Sequence, residues 1–369
     1  MLIKFELKKL WRSRLYVITL ILTIAFVLGF FIRNIVYQDI NKAEEIARFQ
    51  GYRSDVLSQI IYQTDLLREI AEGVDVNLEE SLKVGRALYH ALGDLVEARE
   101  RDQELALLQL EIDALELAII YQDLDNYFPL SLEELTDEVE KNTKLISVSL
   151  PKEPEHASIQ PAVFLRQIAS FFFTGFSFYV VITVIGTPIV KEYDDYSIKL
   201  TYSLPLSSRR LILSKWASLV ISGAIWLSTV ICSALIVSTL FGKQVDQPFN
   251  YLFRTAQQDF IRADHYTYQI ILFGFLFILL LTALVVLLTL LVKRSRVVQL
   301  LTLVLFLSVE VMLRQGLINV TFPFTYQNLD LAITHFAPIS INGLAMIISN
   351  VFVILGLAML IDKRRRYLC

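Results

Sequence analysis

Six long apolar runs divide the sequence, and they constrain its fold more than any other feature. The first covers residues 15–32, which are 18 residues without a charged side chain. As a helix this run is about 27 Å long, enough to cross the hydrocarbon core of a bilayer. The other five runs are residues 164–190, 211–241, 269–292, 297–313 and 338–361. With 55% hydrophobic residues and a mean hydropathy of +0.53, the chain is too apolar for an ordinary soluble domain. The sequence therefore predicts an all-α membrane protein with six transmembrane helices.

The first 14 residues have the pattern of an amphipathic helix that lies at the membrane interface. One helical stripe holds four apolar residues, namely Ile3, Leu7, Leu10 and Trp11. Basic residues fall beside or opposite that stripe, namely Lys4, Lys8, Lys9 and Arg12. A cleavable signal peptide is the competing interpretation, but the following run is long, lacks a small-x-small cleavage site and continues into helical sequence. Residues 1–33 are therefore predicted to form an amphipathic helix and the first transmembrane helix.

Residues 34–163 separate the first two apolar runs and are of a different character. They contain 27 acidic and 11 basic residues and no apolar run long enough to cross a bilayer. Two stretches, 37–72 and 78–124, are nearly free of Gly and Pro and rich in good helix formers. The insert between spans one and two is therefore predicted to be a helical domain.

The second of these stretches carries apolar residues at alternating steps of three and four, namely Leu105, Leu108, Ile112, Leu115 and Ile119. This spacing predicts an antiparallel helical hairpin in the insert. Further along, Ser131 and Glu134 have the spacing of a capping box that opens a short helix. Two interpretations of the insert stay open, a rigid spacer or dimer contact, and a recognition surface for a substrate or an envelope partner.

Basic residues in the short connections predict the orientation of the chain. Lys and Arg number five by Arg14, five in residues 191–215, three in residues 293–296 and four in the tail after Asp362. If each apolar run crosses the membrane once, all four clusters lie on the same side of it. Lys and Arg are retained at the cytoplasmic face of a membrane. Both termini and the 191–215 loop are therefore predicted to be cytoplasmic, with residues 34–163 extracytoplasmic and residues 164–369 holding transmembrane helices two to six.

The 191–215 loop has an ordered composition. Acidic residues come first, then an amphipathic stretch at 198–202, then an apolar turn around Pro205, and then a basic pair. This order resembles the cytoplasmic loop of ABC transporter permeases of the type-two exporter family. The matching residues are Glu192, Leu200, Ser203, Leu204, Pro205, Leu206, Ser207, Arg209, Arg210 and Lys215. Where that family usually has a Gly-Thr pair, this chain has Ser197 and Ile198. A generic basic loop that only fixes topology is the alternative.

The resemblance implies that this loop holds a coupling helix that sits in a groove of a separate ATPase subunit. The residues expected to dock the ATPase are Glu192, Tyr193, Asp195, Ile198, Leu200, Leu204, Pro205 and Arg209. The resemblance also implies an assembly of two permeases and two ATPase subunits. The helical insert is not a general feature of that family.

The sequence contains no motif for catalysis by this chain. It has no G-x-x-x-x-G-K-[ST] phosphate loop, no HExxH, no G-x-S-x-G and no cluster of Cys and His with metal-ligand spacing. We therefore expect no catalytic residue, no metal site and no cofactor in this chain. ATP and Mg²⁺ are expected to bind to the partner ATPase.

Two further groups of residues are candidates for function inside the membrane. The second apolar run is rich in aromatic residues, and Phe172, Phe176 and Tyr179 are candidates for the wall of a translocation path. Packing against neighbouring helices or lipid is the alternative. Glu310 and Arg314 lie four residues apart near the end of the fifth run, so they share a helix face. They are expected to form an intramembrane ion pair, either functional or structural.

Together these observations predict the permease subunit of an ATP-driven ABC exporter in a bacterial cell membrane, with an amphiphilic substrate such as a peptide, drug or lipid. The expected partners are an ABC ATPase, a second identical or different permease, membrane lipid and the substrate, but not nucleic acid. An alternative stays open, in which the protein is an ATPase-coupled envelope sensor or scaffold. Its helical ectodomain would then contact an extracytoplasmic partner without substrate flux.

Overall fold

The fold is almost entirely helical, as predicted for an all-α membrane protein. The computed structural model describes residues 2–69, 76–101, 104–203, 207–256, 259–317, 322–335 and 341–366, and 84% of the structure is helix. The α-helices are α1 (Leu2–Arg12), α2 (Arg14–Glu69), α3 (Val76–Glu100), α4 (Glu104–Asp123), α5 (Leu132–Ser147), α6 (Pro161–Phe172), α7 (Gly175–Asp194), α8 (Ile198–Tyr202), α9 (Ser208–Phe241), α10 (Ala263–Val292), α11 (Ser295–Arg314), α12 (Leu329–His335) and α13 (Ile341–Arg366). Two short 3-10 helices, η1 (Pro248–Asn250) and η2 (Pro323–Gln327), and two strands, β1 (Leu252–Arg254) and β2 (Phe260–Arg262), complete the described part. The two strands pair with each other in the connection between α9 and α10.

Six of the helices are long and apolar enough to cross a membrane, which confirms the predicted number of spans. They are Arg14–Glu69, Gly175–Asp194, Ser208–Phe241, Ala263–Val292, Ser295–Arg314 and Gly343–Arg364. The chain divides into two compact units. The membrane unit consists of Met1–Phe31, Phe164–Gly242 and Phe253–Cys369, and the insert unit consists of Ile32–Val163 and Lys243–Leu252.

The second apolar run is not one continuous helix, which corrects the prediction of a single span over 164–190. Helix α6 ends at Phe172, Thr174 is extended, and α7 begins at Gly175. The break frees the carbonyl oxygen of Phe173, which accepts a hydrogen bond from the backbone N–H of Leu329 at 3.1 Å. A side chain at Gly175 would lie only 3.2 Å from the side chain of Gln327. A remote segment of the chain therefore stabilises the break.

Aromatic packing forms the centre of the membrane unit. Phe178 lies edge-on to Trp226 and to Phe277, with ring centroids 5.8 and 4.9 Å apart. Phe173 packs against the same Trp226 at 6.0 Å. These four side chains are buried and come from α7, α9, α10 and the break before α7. Lipid is as apolar as these side chains, so they favour helix packing through their van der Waals contacts and ring geometry.

The segment after the fifth span folds back onto the membrane unit. Gly316 has a left-handed backbone (φ 67°), which ends helix α11. Within the returning segment, the ring of Tyr326 stacks on Phe273 of α10 with centroids 4.8 Å apart. Gln327 and Leu329 are buried as well. This segment is therefore part of the helix packing.

The insert unit has its own hydrophobic core. The core is formed by the second half of α2 and by α3, α4 and α5, with buried residues that include Phe49, Val56, Ile60, Leu88, Leu92, Leu95, Leu107, Leu115, Tyr121 and Leu135. Two partly buried ion pairs of Lys152 also lie in this unit. Lys152 contacts Glu111 at 2.7 Å and Glu138 at 2.5 Å. Burial opposes the charge on Lys152, but the two carboxylates more than offset it and raise its pKa above the ordinary value.

The predicted helix over 78–124 is two helices, because α3 ends at Glu100 and α4 begins at Glu104. The apolar pattern up to Val96 is out of register with the pattern from Leu108 onward, and two separate helices allow residues of both patterns, such as Leu92 and Leu115, to lie in the same core. The predicted capping box before α5 is confirmed. The Ser131 hydroxyl accepts from the Glu134 N–H at 3.3 Å, and the Glu134 carboxylate accepts from the Ser131 N–H at 2.8 Å.

Candidate coupling site

The described residues of the loop between α7 and α9 are held by local hydrogen bonds and a left-handed turn. The N–H of Asp195 caps the end of α7 by donating to the carbonyl of Lys191 at 2.8 Å. Tyr196 then has a left-handed backbone (φ 56°), which turns the chain into α8. Ser207 caps the start of α9, where its hydroxyl accepts from the Arg210 N–H at 3.4 Å. The predicted apolar turn, with Leu204, Pro205 and Leu206, lies outside the described residues.

Helix α8 has one buried side and one exposed side. Ile198 and Tyr202 are four residues apart and share the inner side. Ile198 is buried, and the Tyr202 hydroxyl donates to Oδ1 of the buried Asp362 in α13 at 2.7 Å. Leu200 is on the opposite side and is 77% exposed. The loop therefore presents an apolar side chain to its surroundings while its inner side is held by the bundle.

The predicted docking residues fall into three groups. Asp195, Leu200 and Arg209 are exposed. Tyr193 and Ile198 are buried inside the chain, so their side chains stabilise the loop from within. Glu192 is mostly buried in an ion cluster. Tyr196, which the sequence analysis did not single out, is 67% exposed and lies beside Lys199, whose Nζ is 5.4 Å from its ring centroid.

The ion cluster joins the N-terminal helix to the two helices that flank the loop. Glu192 of α7 contacts Nζ of Lys9 at 2.5 Å and is also paired with Lys215 of α9. Glu6 of α1 contacts Lys9 at 3.3 Å and Lys215 at 3.4 Å. Two carboxylates and two ammonium groups thus alternate in a closed ring without net charge, which is how buried charges are tolerated.

Burial differs between the two lysines of the cluster. The Lys215 side chain is 1% exposed, whereas that of Lys9 is 32% exposed. Burial opposes the charged form of Lys9, but hydrogen bonding and charge from Glu192, followed by Glu6, more than offset this effect and raise its pKa. The sequence analysis missed Glu6. The available signal was an acidic residue next to Leu7 on the apolar stripe of an otherwise basic amphipathic helix.

A second contact ties the end of α7 to the neighbouring basic turn. The carboxylate of Asp194 accepts a hydrogen bond from the backbone N–H of Ser295, the first residue of α11, at 3.3 Å. A carboxylate at a helix N-terminus is stabilised by the free N–H groups and the helix dipole. The loop is therefore anchored to α1, α9, α11 and α13.

The three candidates for a translocation path have different environments. Phe172 is buried and lies edge-on to Phe26 at 5.4 Å. Phe176 is 74% exposed. Tyr179 is half-buried and packs against Phe306 of α11 at 6.3 Å. Of these three residues, Phe176 is the one whose ring is exposed on the surface of the chain.

Glu310 and Arg314 form the expected contact, with Nε of Arg314 donating to Oε1 of Glu310 at 3.0 Å. The other carboxylate oxygen of Glu310 accepts from the amide of Gln327 at 3.1 Å. The Arg314 side chain is 80% exposed. The pair therefore links α11 to the segment that folds back from it.

The chain matches a known protein family. A family model described as "ABC-2 family transporter protein" matches residues 1–357. The chain belongs to this family. It is the permease subunit of an ABC transporter and a multi-pass membrane protein. The ABC-2 permeases are membrane transport components, not themselves catalytic, and the family implies an ABC ATPase as the partner of this permease. No curated protein and no solved structure matches the permease.

Proposed function

We propose that the permease exports an amphiphilic substrate and that its 191–215 loop docks the ATPase subunit. The observation that supports docking most directly is the 77% exposed Leu200 on a helix whose inner side is fixed by Ile198 and Tyr202. An exposed apolar side chain on a rigid element matches the anchor residues that dominate protein interfaces. The docking surface is Asp195, Tyr196, Leu200 and Arg209, with both chain termini on the same cytoplasmic side.

The way in which the loop is fixed supports a role in transmission of force. ATP and Mg²⁺ bind to the ATPase, so movement must enter the permease through the contact surface. Tyr193 and Ile198 are buried and Glu192 is ion-paired with Lys9 and Lys215. A push on α8 is therefore passed to α7, α9 and α1 together, since packed interiors are stiff.

A substrate with both apolar and polar parts is consistent with the surface of the membrane unit. Phe176 presents a largely exposed ring on α7, and Phe171, on the preceding helix α6, is also exposed. Aromatic side chains offer a large apolar contact area to lipid-like molecules. The transport path is proposed to form between this permease and a second permease subunit.

Replacement of Leu200 with Asp tests the docking proposal. An unpaired charge in the apolar contact should prevent docking, because a desolvated charge without a partner costs several kcal/mol. The permease should reach the membrane at its normal level, but it should no longer co-purify with its ATPase. Leu200→Met is the matched control, which keeps an apolar side chain of similar size and should retain the ATPase.

Transport measurements separate export from the sensor or scaffold alternative. Flux of a fluorescent amphiphile in liposomes that contain the complex, together with ATPase activity stimulated by that amphiphile, is the expected result for an exporter. ATPase activity that responds only to an extracytoplasmic partner, without flux, would favour the alternative.

Retention of the ATPase at wild-type stoichiometry by Leu200→Asp would refute docking through α8.

A further inference from the structure

The outer face of α2 in the insert unit carries an apolar and small-residue repeat that the described residues of the unit leave exposed. We name this repeat the α2 seam. Its positions follow alternating steps of four and three, and all of them are exposed: Val36, Ile40, Ala43, Ala47, Gln50, Ser54, Leu57 and Ile61. The core of the insert unit uses the other side of the helix. Val56, for example, is buried and lies nine residues, or two and a half turns, after Ala47.

The composition of the α2 seam is unusual for an exposed helix face. An exposed face of a helix is normally charged or polar, and the insert has 27 acidic and 11 basic residues. None of the eight seam positions is charged. Four of them are large apolar side chains, of which Val36 is 60% and Ile61 55% exposed.

A glycine next to the seam is a second unusual feature of this face of α2. Gly51 is exposed, and a Cβ added to it would meet no atom of the chain within 4 Å. No packing contact within the chain therefore requires a glycine at this place, although glycine in a helix interior is unfavourable by about 1 kcal/mol relative to alanine. Together with Ala43 and Ala47 it leaves the middle of the seam flat. A flat surface of this kind allows the backbone of another helix to approach closely.

We infer that the α2 seam pairs with the same seam of a second copy of this permease, as a parallel two-stranded coiled coil. This inference rests on the proposed function, which requires two permease subunits. A repeat of steps of three and four over four heptads is the signature of helices that pair with one another. The seam is about 39 Å long if each of its 26 residues rises 1.5 Å.

Charge and direction favour an identical copy as the occupant. Two copies of an acidic insert repel one another, and an uncharged strip is where they approach at the lowest electrostatic cost. Because the same helix α2 contains the first membrane span, two copies in one bilayer present it in the same direction. Equivalent residues then face each other across a two-fold axis, so Ala47 meets Ala47 of the second copy.

Disulfide cross-linking of the full-length permease in its native membrane tests this inference. Cys232 and Cys369 are first replaced by serine, and single cysteines are then introduced as Ala47→Cys and Ser54→Cys. Asp55→Cys is the matched control, because Asp55 is exposed and adjacent to Ser54 but points about 100° away around the helix. After mild oxidation, the two seam variants should form a covalent dimer and the control should not. Two differently tagged copies expressed together establish that both halves of the dimer are this permease.

A charged seam variant provides the second measurement. Ala47→Glu places like charges opposite each other and should lower the dimer yield of Ser54→Cys by about tenfold or more, since an unpaired buried charge costs more than the 1.4 kcal/mol that a factor of ten represents. Asp55→Lys, a charge change outside the seam, should leave the yield unchanged. Equal yields in these two variants would overturn the inference.

The outcomes of these experiments also distinguish a failure of seam pairing from a failure of the proposed function. Absence of cross-linking at both seam positions, in a permease that still binds its ATPase and transports, would overturn the seam and leave the function standing. A cross-link to a different polypeptide would overturn the identical copy as the occupant. Seam dimers in a preparation that never contains an ATPase would support the seam and contradict the proposed function.

Discussion

Lys215 has two carboxylate partners and almost no contact with water. Replacing it with Met should leave Glu6 and Glu192 with only the partly exposed Lys9 as a partner in the cluster. Removal of one member of a buried ion pair typically costs about 3–5 kcal/mol. We expect Lys215→Met to lower the thermal unfolding midpoint of the detergent-solubilised permease markedly. The same change should weaken co-purification of the ATPase, because the cluster fixes the helices that flank α8.

Lys9→Met is the matched control for this change. Lys9 contacts the same two carboxylates, but its side chain is 32% exposed, so water can partly replace it. A clearly smaller shift in the unfolding midpoint is expected. Equal shifts for the two variants would show that burial does not decide how much each lysine contributes to the stability of the permease.

Single residues of the docking loop were only partly predictable from the sequence. The prediction that α8 has an apolar anchor at Leu200 is still a prediction, and its exposure supports it. The inward orientation of Tyr193 and Ile198 depends on helices that are far away in the sequence, such as α13 with Asp362. The ion cluster likewise joins residues 6 and 192, whose proximity no local pattern reveals.

Helix α4 has both buried and exposed apolar side chains in the insert unit. Leu108 and Leu115 are both buried, whereas Ile120 of the same helix is 48% exposed. Replacing Leu108 or Leu115 with Ala should each destabilise the insert by about 2–5 kcal/mol, because the lost contacts leave a cavity. Ile120→Ala should change its stability by about 0.5 kcal/mol or less. Protease resistance of the insert in the full chain measures the difference in stability between these variants. Similar resistance of all three variants would contradict the burial of Leu108 and Leu115 in the insert.

Some elements of the fold can be predicted from local sequence patterns, and others depend on residues that are distant in the sequence. The six spans and the capping box before α5 follow from local composition, and both are confirmed. The break before Gly175 does not, because it depends on a hydrogen bond from Leu329 and on the side chain of Gln327. The end of α3 at Glu100 has only a change of apolar register as its sequence signal, and that signal does not fix a boundary residue.

The distribution of charge sets the predicted orientation of the whole molecule. Residues 34–163 hold 27 of the 37 acidic residues but only 11 of the 34 basic ones. Because Lys and Arg are retained at the cytoplasmic face, this distribution predicts an extracytoplasmic insert and cytoplasmic basic loops.

Labelling of single cysteines in intact cells tests this topology. In a variant without Cys232 and Cys369, Glu80→Cys in the insert should react with an impermeant thiol reagent. Ser203→Cys in the docking loop should react only after the membrane is opened. Both positions are exposed in the structure, so a difference in labelling reports the side of the membrane. Reaction of Ser203→Cys in unopened cells would reverse the predicted orientation.

Helix α8 is only five residues long, and this shortness has a practical consequence. An isolated helix of that length is not stable in water, because nucleation costs more than so few hydrogen bonds return. Its shape is maintained by Ile198, by the bond from Tyr202 to Asp362 and by the flanking helices. A linear peptide cut from the loop would lack these supports and would lose most of its binding free energy in becoming ordered. An inhibitor that imitates the loop therefore needs a staple or a scaffold that fixes the turn and leaves the Leu200 side chain outward.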